Sequence, residues 1–142
     1  MTLTASTKRQ QGFMNLTDDD RYQILIDVAT QYIDEQSHPE DNQFVFSYTI
    51  NISNIGTLTA QLLSRHWIIT DANNEVQEVK GEGVVGEQPI IEPGASYVYT
   101  SGVVLNTSVG HMQGSYQMLS EDGQLFDAPI DAFTLARPHA LH

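Results

Sequence analysis

The chain has 142 residues, enough for one domain with its own core, and its 18 acidic against 6 basic side chains give a formal charge of −12. That charge repels a phosphate backbone, which excludes nucleic acid as a natural partner and makes the acidity first of all a matter of solubility. The absence of cysteine excludes a disulfide framework, thiolate metal sites and a cysteine nucleophile. With no apolar run near the roughly 20 residues of a membrane helix and no signal-peptide centre, the expectation is a cytoplasmic protein without membrane insertion.

Met1 to Asp20 is polar and shows no sustained period, so it is expected to form a flexible extension ahead of a domain over residues 21–142. Asp18-Asp19-Asp20 lacks the spaced ligands and central glycine of a calcium loop and reads as a solvated lead-in. From Tyr22 the period is two, with Tyr22, Ile24, Ile26, Val28 and Tyr32 on one face of a first strand. Residues 37–42 have loop chemistry around Pro39, and a second strand begins at Gln43, its apolar face formed by Phe44, Phe46, Tyr48, Ile50 and Ile52. Asn54-Ile55-Gly56 ends it.

The stretch Leu62 to Gly86 holds the only tryptophan. Strict alternation places Leu63, Trp67 and Ile69 on one face of a central third strand and Leu62, Ser64, His66 and Ile68 on the other. Asn73-Asn74 tolerate the positive φ of a tight hairpin, and a partly exposed strand returns over residues 75–80. Pro93-Gly94 marks a turn, Tyr97 to Leu105 alternates as a further strand, and Asn106-Thr107-Ser108 interrupts it. Gly110 to Gly114 leads into a strand over residues 115–119. Asp122-Gly123 is a hairpin signal, and the last strand, Leu125 to Leu135, is broken or set on an edge by Pro129.

About seven strands with no segment of helical period predict an all-β antiparallel sandwich. An immunoglobulin-like version is favoured by the tryptophan on the third strand and by Tyr116 two residues before Met118. In that fold a tyrosine two residues before the second core cysteine bonds back to upstream backbone. Met118 stands at the cysteine position here, so packing alone must join the sheets.

Gly81-Glu82-Gly83-Val84-Val85-Gly86 fits G-x-G-x-x-G, but Pro89 and Pro93 oppose the helix whose N-terminus would hold a pyrophosphate. Glu82 and Glu87 add negative charge beside any phosphate, so the glycines are expected to serve backbone geometry. Apart from His139 and His142 near the C-terminus, the histidines lack metal-site spacing, and His66 reads first as a satisfied structural histidine, with exposure beside Arg65 as the alternative. Ser64 and His66 share a face, yet no nucleophile elbow and no orienting carboxylate are evident. No catalytic set, no resident cofactor and no dedicated metal site follow from the residues.

Gln61 to Asp71, Gly81 to Pro89, Tyr99 to Gly102 and Gly114 to Met118 together resemble the ApaG family, also called CorD, from about Tyr22 to the C-terminus. The resemblance implies a fibronectin type III-like sandwich in a bacterial protein associated with cobalt resistance and magnesium efflux. Similar domains in eukaryotic F-box proteins and in a DNA-polymerase-interacting protein imply protein interaction as the shared role. The resemblance brings no catalytic residues, and it leaves the glycine loop without an assigned ligand. The leading expectation is therefore a non-enzymatic module for an unidentified protein partner, binding through Arg65, His66 and the loop Gly81, Glu82, Gly83, Gly86 and Glu87, with Trp67 supporting from the core. Direct handling of cobalt or magnesium is the competing class, nucleotide binding at the loop comes third, and self-association is compatible with all three.

Overall fold

The computed structural model describes residues 19–139. Eight strands form two antiparallel sheets: β1 (Ile24–Tyr32), β2 (Phe44–Asn54), β3 (Ala60–Asp71), β4 (Val76–Glu82), β5 (Ile90–Ile91), β6 (Ser96–Leu105), β7 (Val109–Ser120) and β8 (Leu125–Ala136). One sheet is ordered β1-β2-β6 and the other β4-β3-β7-β8, with β5 pairing β3. Short 3-10 turns at Asp34–Gln36 and Pro39–Asp41 are the only helical elements among the described residues. Among the described residues no helix is long and apolar enough to cross a membrane.

Period-two alternation builds the first sheet directly. Ile24, Ile26, Val28 and Thr30 of β1 and every second residue of β2 from Phe44 to Asn54 are buried. Tyr22 lies just before β1, stacks on Phe126 of β8 at 5.2 Å and donates to Asp122 at 2.5 Å. Among the expected turns, Asn74, Gly94 and Gly123 all take positive φ. The strand expected over residues 115–119 starts earlier, at Val109, because Asn106-Thr107-Ser108 completes the whole connection from β6. Pro129 does sit on an edge strand, β8, the place in a sheet that tolerates a residue without an N–H.

In β3 strict alternation fails. The β3–β7 register slips between Leu62 and Ser64, so one extra residue enters β3. Leu62 therefore shares the buried face with Trp67 and Ile69, and Leu63 is the residue displaced from it, the reverse of the sequence expectation.

The core centres on Trp67, which meets Tyr48 at 5.4 Å, Phe133 at 5.9 Å and Tyr116 at 6.3 Å, all edge-on. Each such aromatic pair contributes about 0.5–1.5 kcal/mol beyond its buried area. The Tyr116 hydroxyl does not return to upstream backbone as the immunoglobulin pattern predicts. It pairs with the Tyr99 hydroxyl of β6, so one buried hydrogen bond spans the two sheets of a chain that has no disulfide. Asn54, also buried, ties the rim: its Nδ2 donates to the carbonyls of Leu58 (2.8 Å) and Ile91 (2.9 Å), and its Oδ1 accepts from Gly56 N–H.

Burial pushes the Tyr99 and Tyr116 phenols well above their ordinary range. The folded chain thus holds both protons more tightly than the unfolded one. This contribution to stability is complete below about pH 10 and declines as pH rises beyond it. Urea denaturation of Tyr99→Phe and Tyr116→Phe should show each single change costing about 1–3 kcal/mol, since each strands a buried hydroxyl. The double variant should cost less than the sum and lose less stability between pH 9 and pH 11 than the wild type.

Candidate functional site

The bulge in β3 has a counterpart on its other flank, where the edge strand breaks. β4 pairs Thr70 back to Ser64, the chain leaves β3 after Glu82, and β5 resumes the pairing at Gln61 and Ala60. Between them lies the glycine loop. The displaced Leu63 carbonyl accepts from Gly83 N–H at 2.8 Å and from Gln88 Nε2 at 2.9 Å, and Leu62 N–H donates to the Pro89 carbonyl at 3.0 Å. Inside the loop Val84 and Glu87 exchange backbone hydrogen bonds, Val84 N–H to Glu87 O at 2.8 Å and Glu87 N–H to Val84 O at 3.0 Å. Val85 (φ 48) and Gly86 (φ 79) are the central residues, so the turn is of the mirror-image type I′ class. Val84 is fully buried, while Val85 stands 62% exposed at the apex.

Two of the loop's glycines answer to close contacts. Gly83 has φ +62, and a Cβ there would overlap the Glu87 carbonyl oxygen. A Cβ on Gly81 would lie 2.8 Å from the Arg65 guanidinium. That guanidinium donates from Nη1 to the carbonyls of Glu82 (3.0 Å) and Gly83 (2.8 Å), capping the end of β4. The loop leads into β5 and not into a helix, and the N–H groups of Gly83, Val84 and Glu87 are already engaged within the protein. The geometry that dinucleotide-binding glycines serve, N–H groups at a helix N-terminus, is not formed here.

Arg65 and His66 part company across the sheet. Arg65 follows the parity of Trp67 and points inward, near enough to the tyrosine cluster to offset part of the rise that burial imposes on Tyr48, Tyr99 and Tyr116. His66 points outward, half-buried, with Nε2 2.5 Å from Glu78 Oε2. His66 is thus a satisfied histidine, and although neighbours in a strand leave on opposite faces, the two side chains still border one depression at the end of β4. Glu78, which no sequence motif marks, sits opposite Ile68 across the Asn73-Asn74 hairpin, and the register set by that turn puts it diagonal to His66.

Ser64, His66, Lys80, Gln117 and the edge of Gly81 and Glu82 line a shallow open depression together with Arg65. Ser64 Oγ donates to Gln117 Oε1 at 2.8 Å, and Gln117 Nε2 donates to Ser115 Oγ at 2.9 Å. The serine hydroxyl is thus committed to Gln117, and the histidine to Glu78. Among the described residues no three His, Asp or Glu side chains converge as metal ligands.

The two sheets, in the order given above and joined by packing and by the Tyr99–Tyr116 hydrogen bond, make this a fibronectin type III-like domain. The ApaG domain family model matches residues 34–120, and on this and the following similarities the chain belongs to the ApaG family. Protein ApaG of Thiobacillus denitrificans is 61% identical over 122 residues, covering 86% of this chain and 96% of that protein. Protein ApaG of Ectopseudomonas mendocina is 62% identical over 124 residues, covering 87% and 98%. A crystal structure from Bordetella pertussis matches with a TM-score of 0.82 at 47% identity, over 85% of this chain and 98% of that one.

If the loop's glycines serve backbone geometry, Gly83→Ala should lower stability by more than about 1 kcal/mol in urea denaturation. Gly86→Ala, whose Cβ would meet nothing within 4 Å, should cost only its positive φ, about 1 kcal/mol. ATP, GTP or NAD should leave the wild-type melting temperature unchanged. A saturable rise abolished by Gly83→Ala would instead assign the loop to phosphate.

Proposed function

We propose that this chain is a non-enzymatic protein-binding module whose contact surface is the apex of the glycine loop, residues 84–87, with the flanking depression at His66 and Lys80. The observation that supports it is Val85. A β-branched residue at positive φ is disfavoured, and left-handed positions of this kind cost of order 1–3 kcal/mol. The side chain held there is mostly exposed, so the fold gains little from it in packing. The loop beneath is pinned by Leu63 and Arg65, which makes Val85 and Glu87 a preorganised contact that loses little entropy on binding. Arg65 serves in this reading as the brace of the loop, and Trp67 as the packed base behind β3.

The association with cobalt resistance and magnesium efflux implied by the family resemblance is taken as an effect of the bound partner, with the cytoplasm as the compartment. Direct metal binding has His66 and Glu78 as its nearest pair of ligands, but two ligands fall short of a specific site.

The test is capture of partners from bacterial lysate by wild type, Val85→Asn and Glu87→Lys. Asparagine accepts positive φ, so Val85→Asn should keep or raise stability by up to about 1 kcal/mol. It should nonetheless lose the partners that the wild type retains. Partners held equally by all three proteins would remove the loop from the contact. Calorimetry with Co²⁺ and Mg²⁺ should give no stoichiometric site, and a saturable one lost in His66→Ala would move the reading to direct metal binding.

A further inference from the structure

The strands at the sheet margins are not equally guarded. An edge strand presents unpaired N–H and C=O groups, and proteins blunt such edges with charges or proline. β4 carries Glu78, Lys80 and Glu82. β8 carries Asp127, Pro129 and Asp131, and β1 carries Asp27. β6, SYVYTSGVVL, runs for 10 residues with no charge and no proline, and it pairs with β2 alone. No other backbone hydrogen bond reaches residues 96–105 among the described residues. Its outward side chains include Val98, 57% exposed, and Val104, 54% exposed. Beside them the outer face of β2 continues the uncharged strip through Val45, Ser47, Thr49, Asn51 and Ser53.

We propose that β6 is the edge through which two copies of this chain pair, antiparallel about a two-fold axis, so that their three-stranded sheets join into one of six strands. The occupant follows from charge and from self-complementarity. Two copies each carrying −12 repel one another over most of their surface, and this strip is where they approach without burying or opposing charge. A two-fold axis at Ser101 sets Val98 of one copy beside Val104 of the other and Thr100 beside Gly102. The two exposed valines then cover each other, and the bulkier threonine meets the residue without a side chain. Each surface is the other's match, as a two-fold interface requires.

Sedimentation analysis of the full chain, from micromolar to several hundred micromolar, should show a species of twice the 15.8 kDa chain mass. The Val98→Lys, Val104→Lys double variant should be monomeric, and so should the Val98→Glu, Val104→Glu double variant, since each sets like charges against each other. Mixing the two should restore a one-to-one dimer, because the register opposes lysine to glutamate at both positions. Near-ultraviolet circular dichroism of Trp67 reports that each variant keeps its core. A monomeric wild type at every concentration, dimers that survive both double variants, or variants that fail to pair on mixing would each overturn the proposal. So would a dimer that forms only when residues 1–18 are deleted, which would make that segment the occupant of the edge.

Discussion

A single extra residue in β3 organises the rest of the protein. Side chains in a strand alternate, so one inserted position reverses the parity of everything after it. Because of the slip between Leu62 and Ser64, Leu62 and Trp67 both enter the core although they are five positions apart. The same slip turns Arg65 inward, His66 outward, and the Leu63 carbonyl toward the edge. Remove the insertion and either Leu62 or Trp67 must leave the core, and the loop loses the acceptor that holds its first and last turns.

Arg65 links the two halves of this arrangement. Its stem crosses the inner face of the second sheet opposite Tyr116, and its guanidinium reaches the carbonyls at the end of β4. A charged group there would be costly without partners, and the two carbonyls supply them. The tyrosine pair, the tryptophan and the glycine loop are thus packed through one side chain, and Gly81 is the residue whose lack of a Cβ lets that side chain lie flat.

Much of the fold was legible because it rests on local signals. The alternation of β2, the Asp122-Gly123 turn and the edge position of Pro129 each follow from the physics of one short segment. The bulge was not, since nothing in Leu62-Leu63 says which leucine faces inward. That is decided by the β7 ladder, which lies more than fifty residues away in the chain. The same gap hid the orientation of Arg65. The Tyr99–Tyr116 bond was equally out of reach, because Tyr99 reads only as one more alternating aromatic until the two sheets are stacked. His66–Glu78 stands between these cases, because the Asn73-Asn74 turn is a local signal and the register it sets places the two side chains diagonally across the β3–β4 ladder.

The interrupted edge, β4 then loop then β5, has a consequence for how the family can vary. Both feet of the loop are fastened to adjacent residues of β3, Gly83 to Leu63 and Pro89 to Leu62, so the segment between them begins and ends at nearly the same place. Closing a flexible loop between fixed feet costs only about 0.6 kcal/mol for each doubling of its length. Insertions after Gly86 would therefore lengthen a finger on the surface without disturbing the ladder below it. The β3 flank is a natural splice point, where one sandwich can carry contact segments of different length and composition.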